Sequence, residues 1–151
     1  MYATASVGQL PGTTTNDNAS AGNIGEYISS TVLVGAAVSL VSGTAKDITS
    51  ISLSAGNWSV CGTVVSNISA GGAITALIGW TSTTSATQPT APNNGSYTLE
   101  QVNVQTSGNL ARPTGCQNLK LASTTSVFLS TLMNFTGTNA AYGFISATRV
   151  R

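Results

Sequence analysis

The stretch from Asn57 to Ile68 narrows the fold more than any other part of the chain. Trp58, Val60, Gly62, Val64 and Ile68 fall on one parity, while Ser59, Cys61, Thr63 and Asn67 fall on the other. Side chains of a strand point to alternate faces, so a period of two predicts a strand with one face in a core. A helix would need apolar residues three and four apart, and no part of the chain sustains such a stripe. Helix-favouring Glu, Lys, Gln and Met are scarce, and β-branched Val, Ile and Thr abound.

The same pattern recurs along the chain. Ile48 to Leu53 is a β-branched run, joined to the first by Ser54-Ala55-Gly56-Asn57, whose turn chemistry predicts a hairpin or a sharp strand-to-strand corner. Ala73 to Trp80 follows, with Ile74, Ala76, Ile78 and Trp80 in step, after a turn at Gly71-Gly72. Tyr97 to Val104, Gln117 to Leu121, Thr125 to Phe135 and Tyr142 to Val150 complete the strand candidates. The polar stretches Ser82 to Ser96 and Thr106 to Gly115, with Pro89, Pro92, Asn94-Gly95 and Arg112-Pro113, are predicted as loops. Residues 1–23 carry Pro11-Gly12 and no periodicity, and are predicted to be a flexible N-terminal arm ahead of a β-sandwich domain over 24–151. About eight or nine strands at a spacing of roughly 8–12 residues predict an all-β, jelly-roll-like antiparallel β-sandwich.

Composition limits what such a module does. Charged residues are 6 % of the chain and the formal net charge is +1, where about 25 % charged is ordinary for a soluble domain. Ser, Thr and Gly take the place of charge, so the surface is solvated by hydroxyls and amides and does little to keep copies apart. Lys46, Arg112, Lys120, Arg149 and Arg151 are too scattered to track phosphates, so no nucleic-acid partner is expected. The most apolar run, Val32 to Val41, is too short to span a bilayer, and no membrane partner is expected. The start at Met1 shows no secretory signal, so synthesis in a cytoplasm is the expectation.

The search for chemistry predicts no site: no catalytic, cofactor-binding or metal-binding residues, and no cofactor. The chain has no histidine. Its carboxylates, Asp17, Glu26, Asp47 and Glu100, fall in four segments. A pair assembled by folding, such as Glu26 with Glu100, would suit glycoside hydrolysis, but solvated or ion-paired acids are the plainer reading. Cys61 and Cys116 lack CxxC spacing and a His partner. Two buried free thiols are the plain expectation, with a disulfide formed in an oxidising medium as the alternative; the alternation sets Cys61 opposite Trp58 and Val60. Asn-x-Ser/Thr triplets at Asn18, Asn57, Asn67, Asn94 and Asn134 read as chance in so hydroxyl-rich a chain. Trp58 and Trp80, in phase with apolar neighbours, are expected in the core.

Three segments carry a resemblance. Asp47 to Gly62 (DITSISLSAGNWSVCG), the ending Ala141 to Arg151 (AYGFISATRVR) and the opening Asn23 to Ile28 (NIGEYI) resemble small phage and prophage β-modules found in tail-fibre tips and head decoration proteins. The resemblance spans most of Asn23 to Arg151 and implies a jelly-roll-like sandwich, usually trimeric, fixed to a virion. It offers no site residues to carry over. Fibre tips usually follow a long shaft, whereas only a short polar arm precedes the module here, which favours a capsid decoration (cement) or head-fibre protein. Its expected partners are copies of itself, as a homotrimer, and the major capsid protein or another virion protein. Arg149 and Arg151 are candidates to pair with acidic capsid residues. One alternative is a receptor-binding tip whose loops at 82–96 and 106–115 face a host glycan or receptor; another is a lectin-like or TNF/C1q-like binding module.

Overall fold

The computed structural model of the protein describes residues 15–90, 97–105 and 108–151, with 97–105 described by their backbone. Its strands are β1 (Tyr27–Val32), β2 (Val38–Ser39), β3 (Lys46–Leu53), β4 (Gly56–Ile68), β5 (Ala73–Ser82), β6 (Tyr97–Gln105), β7 (Gly108–Leu121), β8 (Thr125–Thr136) and β9 (Asn139–Arg149). One sheet has the order β1-β9-β4-β7, with the two-residue β2 also on β9; the other has the order β3-β8-β5-β6.

Leaving β2 aside, the pairings nest. The first strand pairs with the last (β1·β9), the second with the second-last (β3·β8), and so inward to β4·β7 and β5·β6, all antiparallel. Such nesting is that of one long hairpin wound into two facing sheets, which is the jelly roll. The all-β sandwich expected from the periodicity is therefore the fold. The strand at Asn57 to Ile68 is β4, alternating without a break, with Trp58, Val60, Val64 and Ile68 buried. Facing it from the other sheet are Ile51, Leu53, Leu77, Val127, Leu129 and Met133. The sheets close tightly around Leu129: a Cβ on Gly143 would lie 3.2 Å from Leu129 Cδ2 and 2.2 Å from the Thr63 carbonyl.

Few charges means that the polar interior is built from hydroxyls and amides. The Gln117 amide donates to Thr81 Oγ1 and to the Thr81 carbonyl. Ser66 donates to Asn139 Oδ1, and Thr131 to the Ile78 carbonyl. These buried groups thus have partners, as burial requires, and among the described residues the Trp80 indole N–H is the exception.

Residues 54–57 form the strand-to-strand corner, one of the two expected arrangements, because β3 and β4 belong to different sheets. Three other expectations are corrected. Most of the polar stretch Thr106 to Gly115 is strand, from Gly108 onward. Pro113 is tolerated there because β7 is an edge strand whose register slips beside Gly62 and Thr63. In β5 a register shift between Ile74 and Ala76 reverses the parity. Ile74 and Leu77 then reach the main core, while Ala76 and Ile78 are only half-buried. Trp80 is fully buried but lies outside that inter-sheet cluster, in register with Ser130 and, one strand further, Asp47. Asp47 accepts hydrogen bonds from Ser130 Oγ, Ser85 Oγ and the Ala86 N–H, which pins the start of the β5–β6 connection across this outer face. The rest of that predicted loop, 91–96, lies outside the described residues, as do 1–14 of the predicted arm and 106–107.

The third correction concerns the cysteines, which form a disulfide, the alternative above, and are not free thiols. Cys61 on β4 and Cys116 on β7 face each other in register, with Cα atoms 4.2 Å apart. That is the close approach of a pair not bridged by backbone hydrogen bonds, on the sheet's outer face where the alternation had set Cys61. The bond closes a span of 55 residues, and cross-links of such length stabilise by about 2–4 kcal/mol. The paired substitution Cys61→Ser with Cys116→Ser is expected to lower unfolding free energy by that amount in urea melts, with the far-UV spectrum unchanged. Reducing agent is expected to do the same to the wild type and nothing to the double variant.

Candidate assembly surface

Three of the charged groups that a sequence search would test for chemistry, Glu26, Asp47 and Arg149, are engaged in holding the structure. Arg149, near the end of β9, is 5 % exposed and was expected at the solvated chain end or against a partner's acids; it is instead the hub of one end of the sandwich. Its Nε donates to Glu26 Oε2 at 2.9 Å, Nη1 to the Ala55 carbonyl at 2.8 Å, and Nη2 to Ser54 Oγ. The guanidinium lies 4.3 Å from the Trp58 ring centroid, a cation–π contact. Trp58 Nε1 donates to the Ser54 carbonyl at 2.9 Å, holding the ring beneath it. Gly56 makes the room: its φ is +141°, and a Cβ there would sit 2.0 Å from Arg149 Nη1.

Glu26 is bound from both sides. The Gly22 N–H and then the Arg149 guanidinium hold its carboxyl below the usual range, against the opposing cost of burial. It has no carboxylate partner: Glu100 lies on β6, in the other sheet. Among the described residues, no three of His, Cys, Asp and Glu gather where they could hold a metal ion. No described helix is long and apolar enough to cross a membrane.

What the exterior offers is apolar. Leu33 is 70 % exposed, Val41 69 % and Val34 53 %, in the turns on either side of β2; Ile24, Tyr27 and Val150 are also exposed, at the other end of β1. These side chains flank β1 and the adjoining parts of β9. Beside them the outer sheet face holds a shallow groove of about 170 Å³ lined by Thr31, Val32, Leu33, Thr63, Val65, Tyr142, Gly143 and Phe144, with no charged residue among them. An apolar, chargeless patch on an otherwise hydroxyl-rich module is the composition of a contact surface. Sequence reading missed it, because Val32 to Val41 looks like one apolar run, and only the turn at Val34–Ala36 splits it and turns part of it outward.

No protein-family profile matches the chain, and no curated protein matches it. Among solved structures it is similar to the infectious bursal disease virus Gx strain structure, with 17 % identity and a TM-score of 0.43, over 82 % of this chain and 30 % of that one. It is also similar to the VP2 subviral particle of infectious bursal disease virus, with 19 % identity and a TM-score of 0.33, over the same shares. The chain thus spans about 30 % of the length of the structures it matches. The jelly-roll assignment stands on the strand order, independently of these likenesses.

The lowered pKa of Glu26 links the Arg149 hub to pH. A carboxyl whose folded pKa lies below its unfolded value of about 4.5 contributes stability that is fully present above that value and lost as pH falls through the folded pKa. Glu26→Gln is expected to be less stable than wild type in urea melts at pH 7, and the gap is expected to close progressively below about pH 4.5. Arg149→Met, which leaves Glu26 without its cation, is expected to cost more than the ~1 kcal/mol typical of a point substitution.

Proposed function

We propose that this chain is a non-enzymatic structural subunit of a bacteriophage particle, a capsid decoration (cement) or head-fibre protein that acts through protein–protein contacts. The observation that carries the reading is the chargeless apolar patch of Leu33, Val34, Val65, Tyr142 and Phe144 on a jelly roll whose own core is already complete. Burial of such a patch, at about 25 cal/mol per Å² of apolar area, is the source of binding energy for a subunit that has few ions to use. The partners are copies of the chain and the major capsid protein or another virion protein. Residues 1–23, ahead of the sandwich, are a second contact to the particle in this proposal.

The Cys61–Cys116 disulfide supports a working life outside a reducing cytoplasm, since such bonds persist in oxidising surroundings. The receptor-tip alternative has less to rest on, because one of its two recognition loops is largely strand β7. Mass spectrometry of density-purified particles, with antibody labelling to locate the subunit, tests the proposal. The chain is expected in fixed stoichiometry on heads, and Leu33→Glu with Phe144→Glu is expected to abolish its rebinding to stripped particles. Absence from purified particles, or label confined to tail tips, defeats the proposal.

A further inference from the structure

Four longer strands border the two sheets among the described residues: β1 and β7 in one, β3 and β6 in the other, with the two-residue β2 continuing the β1 border along β9. A border strand offers unpaired N–H and C=O groups, and folded proteins guard such edges with charge, proline or bulges. Three of these edges are guarded. β7 carries Arg112-Pro113 and a register slip. β3 opens on Lys46 and Asp47, with a shift between Asp47 and Thr49. β6 carries Glu100 and meets β5 through an irregular register. β1 has neither charge nor proline, and its register with β9 runs unbroken from Tyr27 to Val32.

The ladder shows which groups of β1 are open. Arg149 N–H donates to the Glu26 carbonyl, and alternate residues of an antiparallel strand face the same neighbour. Residues 26, 28, 30 and 32 therefore turn toward β9, and Tyr27, Ser29 and Thr31 turn away from it. The Asn18 side chain covers the first of these: its Oδ1 accepts from the Tyr27 N–H at 2.7 Å and its Nδ2 donates to the Tyr27 carbonyl at 2.8 Å. Among the described residues nothing covers the outward backbone of Ser29 and Thr31.

We propose that β1 pairs antiparallel with β1 of a second copy about a two-fold axis at Ser30, joining the β1-β9-β4-β7 sheets of the two copies into one. This rests on the assembly reading above and names its self-contact. An edge strand is complementary to its own copy under a two-fold axis, which needs no second protein to match its spacing. Asn18 selects the register. Any pairing that uses the Tyr27 backbone is blocked. Of the registers left, the axis at Ser30 uses both open residues, with Ser29 opposite Thr31 of the partner subunit and the converse, in four backbone hydrogen bonds. Charge does not oppose it: Glu26 and Arg149 neutralise each other in their buried pair, and Asp17, which accepts from Thr15 Oγ1, lies toward the Tyr27 end. The contact gives pairs, in place of the threefold association that the resemblance implied.

Light scattering after size exclusion, over a hundredfold range of concentration, tests this on the full chain. Wild type is expected at twice the 15.2 kDa chain mass. Ser29→Pro is expected at a single chain mass with an unchanged far-UV spectrum, because the Ser29 N–H makes no bond among the described residues. Thr31→Lys, on the exposed outer face, is expected to do the same by placing a cation in each copy beside the axis, and keeps the test decisive if proline disturbs the strand. A wild type that stays at one chain mass, or forms three, overturns the pairing, as does a pair that survives both substitutions. Particle labelling reads the virion proposal separately, so a monomer that still labels heads sinks only the pairing.

Discussion

The closure of this jelly roll depends on one guanidinium. The fold needs its first and last strands side by side, although nearly the whole chain lies between them, and Arg149 meets Glu26 across a separation of 123 residues. The same group holds the β3–β4 corner through Ser54 and Ala55 and covers Trp58, the largest side chain of the core. Three connections that would fray separately are thereby tied at one end. A buried ion pair is costly to desolvate and is favoured only when its remaining donors are satisfied. Here Arg149 makes three hydrogen bonds and stacks on a ring, and Glu26 accepts from the Gly22 N–H as well. In a chain with only four acids, committing one of them to this hub shows what the charges are for: they lock topology and leave solvation to hydroxyls.

That use of charge also explains how the interior tolerates so much polarity. Ser66 with Asn139 and Gln117 with Thr81 pair groups from strands distant in sequence. Ser, Thr and Asn have fewer rotamers to lose than Lys or Glu, so ordering them costs less, while the longer Gln117 makes two hydrogen bonds in return. Asp47 does for the outer face of the second sheet what Glu26 does for the end of the sandwich. It gathers Ser130, Ser85 and Ala86, so that the chain leaving β5 starts back across the face on which Trp80 is buried.

The sandwich was legible because strand alternation is a local signal. β4 reads directly, since its Trp58 to Ile68 parity runs unbroken, and β3, β8 and β9 read nearly as well. What did not read is what depends on a neighbouring strand. The shift in β5 is set against β8 and β6, so Ala76 and Ile78 looked like core when Leu77 is. The first part of β7, ahead of Gln117, was hidden by Pro113, which forbids a central strand but not an edge, and sequence alone does not say where the edges lie. Arg149 sat in plain view as a charge near the chain end; nothing local marks the carboxylate it meets. The disulfide was open for the same reason, because the register that sets Cys61 against Cys116 belongs to the β4·β7 pair and to neither strand alone.

The contact surface was the least legible feature, and its reason is instructive. A core residue announces itself by periodicity, whereas an interface residue is an apolar group that the fold leaves over. Leu33, Val34 and Val41 are left over because the chain between β1 and β3 makes a turn and only a two-residue strand, too short to fold them under a sheet. They collect beside β1, the one longer border strand among the described residues that lacks charge, proline and bulge. In a module with little charge to hold copies apart, an unguarded edge beside exposed Leu and Val is a hazard if nothing is meant to bind there. The other three edges show that this chain has the means to block pairing and uses them. The absence of any such device on β1, together with the Asn18 side chain that ends the open stretch at Tyr27, is the pattern of an edge whose pairing is limited in extent and register.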